Sequence, residues 1–188
     1  MRIIAGKYRG KHLDSPADAT IRPTADRVRE SIFNILGSRL GPVLEGKRVL
    51  DLFAGTGALG LEALSRGAAH VTFVDNGAEA RGLIRDHIEV FGAAGITKLL
   101  RRDATALGTP GTFGRFDLVF LDPPYGHGLG EKALAGLAAN GWLAPGATIV
   151  WEESVDAEIV LPVGFSQDDI REYGAASVRF LTFGDAAG

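Results

Sequence analysis

The sequence predicts an α/β protein with a mostly parallel sheet, because short apolar segments alternate with amphipathic stretches from residue 47 onward. Apolar strands separated by helices are typical of a parallel sheet that is covered on both faces. Two further observations refine this fold class. A glycine-rich loop follows the first strand, and the last two apolar segments have no obvious helix between them. We therefore expect seven strands, ending in an antiparallel C-terminal hairpin.

The N-terminal part predicts two small elements. Residues 2–13 alternate short apolar pieces with glycine and cations, which indicates a small hairpin too short to form its own core. Apolar residues then recur at helical spacing between Val28 and Leu36, and predict an amphipathic helix. Thr24 is the expected N-cap of this helix and Gly37 its expected end.

Short apolar runs predict the remaining strands, and apolar residues at helical spacing predict the remaining helices. The expected strands cover residues 48–52, 70–75, 98–101, 117–121, 147–151, 159–165 and 177–183, and the expected helices cover 58–66, 78–91 and 131–140. Gly67 predicts the end of the first of these helices, while Asn76 and Glu79 are spaced as a capping pair for the second.

Composition bounds the classes of function. A chain of 188 residues fits one domain, and no apolar run approaches the length needed to cross a bilayer. The chain has no cysteine, which excludes disulfides, thiolate catalysis and cysteine-ligated metals. Its four histidines show no paired spacing, so we expect no metal site. The apolar stretch at the N-terminus is too short for a secretory signal. We expect a cytoplasmic monomer.

Charge is distributed unevenly along the chain. Residues 1–48 hold ten Lys/Arg against five Asp/Glu, whereas residues 49–188 hold ten against eighteen. A basic segment on an acidic protein favours contact with a nucleic acid, although a solvated surface would have the same composition. The candidate phosphate contacts are Arg2, Lys7, Arg9, Lys11, Arg22, Arg27 and Arg29. Arg27 and Arg29 could instead only pair with Asp26 and Glu30.

The loop after the first predicted strand is typical of a nucleotide-type site. Residues 55–60 satisfy G-x-G-x-x-G, and Asp75 follows Gly55 by twenty residues, as in a dinucleotide-binding fingerprint. Asp51 argues against that interpretation, because its charge would repel a pyrophosphate. A carboxylate suits the ammonium group of an amino-acid-bearing cofactor, and this favours S-adenosylmethionine.

A second motif follows the fourth predicted strand. Residues 122–125 read Asp-Pro-Pro-Tyr, and the two prolines restrict the backbone as it leaves the strand. The loop offers the Asp122 carboxylate, freed backbone carbonyls and the Tyr125 ring. These groups suit a planar base that carries an exocyclic amino group, although a strand-ending turn without function could have the same residues.

Four segments together resemble the RsmD family of bacterial methyltransferases. They are residues 2–10, 22–30, 51–67 and 122–125, and the resemblance spans nearly the whole chain. It implies a Rossmann-like class I methyltransferase fold, in which residues 1–40 form a basic, RNA-contacting extension and residues 41–188 the catalytic domain. The implied reaction transfers a methyl group from S-adenosylmethionine to the 2-amino group of a guanine in small-subunit (16S) ribosomal RNA.

The resemblance also implies roles for individual residues. The cofactor-binding positions would be Asp51, Phe53, Ala54, Gly55, Thr56, Gly57, Asp75, Asn76, Asp103, Ala104 and Asp122. Asp75 would accept hydrogen bonds from the ribose, and Asp103 with Ala104 would flank the adenine. Asp103 could equally cap the next segment. Asp122, Pro123 and Tyr125 would be the catalytic positions, which hold and stack the target base.

Other functions remain open from the sequence. The same loop occurs in methyltransferases that act on DNA adenine or on protein amides, and a non-catalytic ribosome-assembly factor could bind RNA with this basic segment. A nicotinamide oxidoreductase fits less well, because hydride transfer has no use for residues 122–125. Trp142 and Trp151 could belong to the core, the rim of the site or the substrate contact.

Overall fold

The computed structural model describes residues 1–16 and 23–184. Its helices are α1 (Pro23–Leu40), α2 (Ala58–Ser65), α3 (Ala78–Val90) and α4 (Leu129–Ala139), and its strands are β1 (Arg48–Leu52), β2 (His70–Val74), β3 (Thr97–Leu100), β4 (Phe116–Leu121), β5 (Leu143–Ser154), β6 (Phe165–Tyr173) and β7 (Ala176–Phe183). Short 3-10 turns lie at Ala94–Ile96 and Gly111–Phe113.

The strands form one seven-stranded sheet in the order β3-β2-β1-β4-β5-β7-β6. The first five are parallel, while β7 runs antiparallel to both β5 and β6. This topology confirms the expected α/β class with a C-terminal antiparallel hairpin. Strand order reverses at β1, which pairs with β2 on one side and β4 on the other, and ligands of such sheets bind beyond the carboxyl ends of the strands at this point.

Neighbouring residues of the central strands pack on opposite faces of the sheet, because side chains alternate along a strand. Val49 and Leu118 face the core cluster that contains apolar residues of α1, α2 and α3, whereas Leu50 and Val119 face the cluster built with α4. The centre of the sheet is thus covered on both faces, which explains why strands β1, β2 and β4 are mostly apolar.

The predicted N-terminal hairpin is present as a compact loop with little regular pairing. An isolated antiparallel bridge joins Arg2 to His12, and the Ile3 amide donates to the Lys11 carbonyl over 3.0 Å. Ile3, Tyr8 and Leu13 are buried in the core cluster that contains α1–α3. The loop therefore packs into the core that contains α1–α3, because it is too short to form a core of its own.

Helix α1 differs from the prediction at both ends. It begins at Pro23, so Thr24 lies inside the first turn and is not the N-cap. Proline at the first helical position has the required φ and needs no hydrogen-bonded N–H. The helix also continues through Gly37, since Leu36 and Leu40 both pack on the core, and it ends before Gly41, whose φ is 95°.

Two other local predictions were wrong. The predicted strand at 159–165 is not a strand, because β6 begins only at Phe165. β6 is a mostly exposed edge strand rich in charge, so its residues lack the apolar signal that marks buried strands. The capping pair of α3 is also absent. Gly77 is the N-cap, and its amide donates to Asp75 Oδ1 over 2.8 Å.

Candidate functional site

A cavity of about 400 Å³ opens at the carboxyl ends of β1 and β4. Both sequence motifs reach it, since its lining includes Asp51 and Phe53–Thr56 from one loop and Asp122 with Tyr125 from the other. Residues of α1 and the β6–β7 turn close its far side. These include Val28, Arg29, Ile32, Tyr173 and Ala175. The structure therefore brings the two motifs to one site.

The glycine-rich loop is bent sharply toward this cavity. Phe53 has a φ of 55°, and among the described residues it is the one non-glycine with a positive φ. Such backbone strain is concentrated at functional sites. Gly55 follows with a φ of 58°, and a Cβ atom there would meet no neighbour within 4 Å. The open space above Gly55 leaves its backbone accessible to a ligand.

Asp51 lies beneath this loop and is almost completely buried. The Gly60 amide, in the first turn of α2, donates to Asp51 Oδ2 over 2.9 Å. Gly60 allows this approach, because a Cβ atom would lie 2.4 Å from the Phe73 ring. Burial outweighs the Gly60 hydrogen bond and raises the pKa of Asp51 to about 8. A buried carboxyl group of this kind is suited to a cationic partner.

Asp75 fixes the shape of the loop from the end of β2. Its Oδ2 accepts a hydrogen bond from the Gly55 amide over 2.9 Å. Asp75, Asn76 and Ala104 line a small second cavity, and Phe53 lines both this cavity and the larger one. Asp103 lines neither cavity. It is exposed, and its Oδ1 accepts from the Thr105 amide and hydroxyl over 2.8 and 2.7 Å.

Gly57 acts through its backbone and not as a lining residue. Its φ is 78° at the N-terminus of α2, and a Cβ atom would lie 3.2 Å from the side chains of Ile84 and Phe73. The position therefore requires a residue that tolerates left-handed geometry and close packing. The buried His87 supports the same loop, since its Nδ1 lies 3.0 Å from the Thr56 carbonyl oxygen.

The second motif leaves β4 directly into the cavity. Water reaches Asp122 at the mouth of the site, whereas Pro123 is buried. The Asp122 side chain opens to the cavity, but the protein atoms around it limit its hydration and raise its pKa well above the usual range. The charges of Glu152, Asp51 and Glu153 add to this effect. Tyr125 is 40% exposed. Its ring is therefore accessible for stacking on a ligand.

Two acidic residues, one lining the cavity and one behind it, were not predicted from the sequence. Glu152 and Glu153 lie near the end of β5, and Glu152 accepts a hydrogen bond from the Tyr125 hydroxyl. Desolvation and this hydrogen bond raise the pKa of the Tyr125 phenol. Glu153 is buried and accepts from the Gly126 amide over 3.2 Å, which holds the loop after Tyr125. The sequence feature that could have identified them is a pair of acidic residues at the end of an apolar strand.

Arg29 differs from its predicted role as a surface contact for phosphate. It is only 4% exposed, and its guanidinium donates to the Arg2 carbonyl and to Asp26. The fully buried Glu62 lies 3.8 Å away and also accepts from the Ile4 amide over 2.8 Å. Arg29 and Glu62 therefore attach the N-terminal loop to α2.

The other predicted cations fall into two groups. Arg2, Lys7, Arg9 and Arg27 are exposed. Lys11 is held by the protein itself, since its Nζ donates to the Val90 carbonyl over 2.8 Å and lies over the Tyr8 and Phe91 rings. Arg22 lies outside the described residues.

Both tryptophans belong to the core. Trp142 and Trp151 are fully buried, and the Trp142 indole donates to the Gly108 carbonyl over 2.7 Å. Neither lines the cavity between the two motifs.

Within residues 1–16 and 23–184, no group of three or more acidic, histidine or cysteine side chains has the arrangement of a metal site. None of the helices described is both long enough and apolar enough to span a membrane.

Comparisons with known proteins agree with this architecture. Residues 1–182 match the family model described as conserved hypothetical protein 95. The chain is 41% identical over 161 residues to ribosomal RNA small subunit methyltransferase D of Escherichia coli K12, covering 83% of this chain and 76% of that protein. It is 34% identical over 181 residues to the Haemophilus influenzae protein of the same name, covering 95% and 92% of the two chains.

Solved structures give the same result. The Escherichia coli protein yhhF superimposes with a TM-score of 0.84 at 35% identity, and covers 98% of both chains. The fold is that of the class I methyltransferases, as the resemblance implied. The chain therefore belongs to the ribosomal RNA small subunit methyltransferase D (RsmD) family.

Proposed function

We propose that this protein transfers a methyl group from S-adenosylmethionine to the exocyclic 2-amino group of a guanine in small-subunit ribosomal RNA. The observation that carries the proposal is the convergence of the glycine-rich loop and the Asp122–Tyr125 loop on one cavity, in a chain of this family. We further propose that the protein acts as a monomer in the cytoplasm, with residues 1–40 as the RNA-contacting extension and 41–188 as the catalytic domain.

The residues around Asp51 fit the methionine part of the cofactor. Asp51 is a buried acid with a raised pKa, so an ammonium group would replace the proton that the carboxyl otherwise retains. The backbone of residues 53–57 would lie against the same part of the ligand. Asp75 and Asn76 would bind the ribose from the end of β2, with Ala104 beside the adenine.

Asp103 differs from the other assigned residues, because its side chain lines neither cavity. Its carboxylate caps the turn to Thr105, and this hydrogen bonding lowers its pKa. We propose that Asp103 supports the adenine site through the shape of this turn, while Ala104 provides the surface that the ring contacts.

The Asp122–Tyr125 loop would orient the target amine. The cofactor supplies an electrophilic methyl group on a positively charged sulfur. The amine is a weak nucleophile, because its lone pair is delocalised into the ring. Asp122 and the Pro123 carbonyl would accept its two N–H bonds and favour the positive charge that develops on nitrogen during transfer. Tyr125 would stack on the base, so positioning accounts for most of the catalysis.

The raised pKa of Asp122 bears on the fate of the proton. The methylated amine becomes acidic only after transfer, so a strong general base is not required. A carboxylate whose pKa is raised by limited hydration and by its acidic neighbours would still accept that proton readily. Asp122 would therefore orient the amine before transfer and take its proton afterwards.

The RNA must present its target base unstacked, which single-stranded loops allow at low cost. Arg2, Lys7, Arg9 and Arg27 are exposed cations on the N-terminal segment and helix α1. Helix α1 also contributes Val28 and Ile32 to the cavity lining. We propose that these cations bind phosphates on either side of the target nucleotide.

The test is transfer of a labelled methyl group from S-adenosylmethionine to small subunits that lack the modification, beside naked ribosomal RNA and duplex DNA. The proposal predicts labelled 2-methylguanine in the small-subunit RNA. Label in DNA adenine would contradict the substrate. Tight cofactor binding without any transfer would favour an RNA-binding assembly factor instead.

A further inference from the structure

The substrate side of the cavity contains a second carboxylate, on Glu152. β4 and β5 are parallel neighbours in which Leu121 pairs with Trp151. Asp122, the first residue after β4, therefore lies beside Glu152, which is still within β5. Both side chains line the cavity together with Tyr125. Glu152 is also the charge that acts most strongly on Asp122. The site therefore presents two adjacent hydrogen-bond acceptors to whatever base it holds.

Two adjacent acceptors distinguish guanine from the other bases with an amino group. Guanine carries its 2-amino group next to the ring N1–H, so this edge offers neighbouring donors. Adenine and cytosine place a ring nitrogen lone pair beside the amine. A carboxylate cannot donate a hydrogen bond to that lone pair. The Asp-Pro-Pro-Tyr loop alone accepts any exocyclic amine, so a second residue must provide the discrimination.

We propose that Glu152 determines specificity for guanine by accepting a hydrogen bond from its N1–H, while Asp122 and Pro123 hold the amine. This inference rests on the proposed function. The Tyr125 hydroxyl donates a hydrogen bond to Glu152. N1–H of a bound guanine would replace the phenol as the donor to Glu152, and the Tyr125 ring would then be free to stack on the base.

The neighbouring Glu153 is not a candidate for this role. It is only 3% exposed and does not line the cavity. Its Oε1 accepts hydrogen bonds from the Gly126 and Ser154 amides, so this carboxylate holds the backbone. Glu152 is partly exposed, and its described partner is a side chain that can rotate away.

The test varies both the target base in the RNA and the side chain at position 152. Small subunits are reconstituted with guanine or with 2-aminopurine at the nucleotide found to be modified, and single-turnover methylation is measured. 2-Aminopurine keeps the amine but lacks O6 and has a lone pair at N1, so the comparison of Glu152 variants on both bases isolates the contact to N1–H. The wild-type protein should methylate it at least about tenfold more slowly than guanine, because a site built for a donor rejects an analogue that lacks it.

The Glu152→Ala variant should slow the methylation of guanine by at least about tenfold and should not slow that of 2-aminopurine. Glu152→Gln, which keeps an acceptor without the charge, should give an intermediate loss on guanine. Glu158→Ala serves as the matched control, since Glu158 is exposed and does not line the cavity. Cofactor affinity and melting temperature verify that each variant is folded.

An equal loss on both bases would overturn the inference, because Glu152 would then act only through Tyr125 or the fold. Equal rates of the wild-type protein on guanine and 2-aminopurine would also overturn it. Failure of the wild-type protein to methylate guanine at all would instead refute the proposed function, so the two failures are distinguishable.

Discussion

The two sides of the cavity hold their carboxylates in different ways. On the β1–β2 side, Asp51 accepts from the Gly60 amide and Asp75 accepts from the Gly55 and Gly77 amides. On the β4–β5 side, Asp122 is exposed to the cavity, and Glu152 accepts a hydrogen bond from a phenol that is itself exposed.

This difference matches the tasks that we assign to the two sides. A cofactor of fixed shape is best held by a rigid loop, and backbone hydrogen bonds provide that rigidity. A base that enters from an RNA needs acceptors that are free until it arrives. We therefore expect substitutions on the β1–β2 side to change cofactor binding, and substitutions on the β4–β5 side to change methyl transfer.

The largest expected effect is that of Asp122→Ala. Single-turnover methylation should fall roughly a hundredfold or more, because an interaction aimed at the developing charge is removed. Cofactor affinity should stay within about threefold of wild type, a difference that falls below the cost of one lost hydrogen bond. Asp156→Ala is the matched control, since Asp156 is exposed and lies outside the cavity. Near-normal methylation by Asp122→Ala would refute its role as acceptor for the amine.

Asp51→Asn should have the next largest effect. Asparagine keeps the shape and an acceptor for the Gly60 amide, but it cannot neutralise an ammonium group. We expect cofactor affinity to fall roughly tenfold to a hundredfold, the range for hydrogen bonds to charged groups. Asp86→Asn, at an exposed position on α3, controls for the loss of an acidic charge. Unchanged affinity in Asp51→Asn would place the ammonium elsewhere.

The raised pKa of Asp51 predicts that a change in pH alters protein stability and cofactor affinity in opposite directions. The folded protein retains a proton up to about pH 8, whereas the unfolded chain releases it near pH 3.8. Stability without cofactor should therefore fall as pH rises through this window, because the folded state binds more protons. Cofactor affinity should rise over the same window, by at most about tenfold per pH unit. Melting curves and titrations from pH 6 to 8 check both signs, and Asp51→Asn should flatten both.

The smallest effect concerns ionic strength and tests whether RNA binds outside this cavity. If Arg2, Lys7, Arg9 and Arg27 each contact a phosphate, doubling the salt should weaken RNA binding about sevenfold. Cofactor affinity should hardly change. Replacing Lys7 and Arg9 together by alanine should reduce the salt dependence by about half.

The control for the salt experiment is Lys132→Ala, since Lys132 is exposed on α4, and α4 covers the opposite face of the sheet from α1. An equal salt dependence of RNA and cofactor binding would contradict the separation of the two sites.

The sequence was sufficient for the buried part of the fold and for the backbone motifs. Strands β1, β2 and β4 could be recognised by their apolar runs, since both faces of the sheet are covered there. Residues 51–57 and 122–125 could be placed at one edge because parallel strands end on the same side. Strand β6 could not be found in this way, because an exposed edge strand carries polar residues.

The partners of charged side chains depend on tertiary contacts that no local pattern contains. Arg29 and Arg27 lie two residues apart on α1, yet Arg29 is buried against Glu62 and Arg27 is exposed. Glu152 reaches the site only because β5 pairs with β4 in one particular register. The role of Asp103 could not be decided from the sequence either, since the sequence allowed both an adenine contact and a turn cap.

The most direct test of the division between the two sides is a calorimetric titration of S-adenosylmethionine into Asp51→Asn and Asp122→Asn, both at pH 8. Our account predicts an affinity loss of at least about tenfold for Asp51→Asn and less than about threefold for Asp122→Asn, since only the first removes an ion pair to the cofactor. Equal losses in the two variants, or a larger loss in Asp122→Asn, would contradict it.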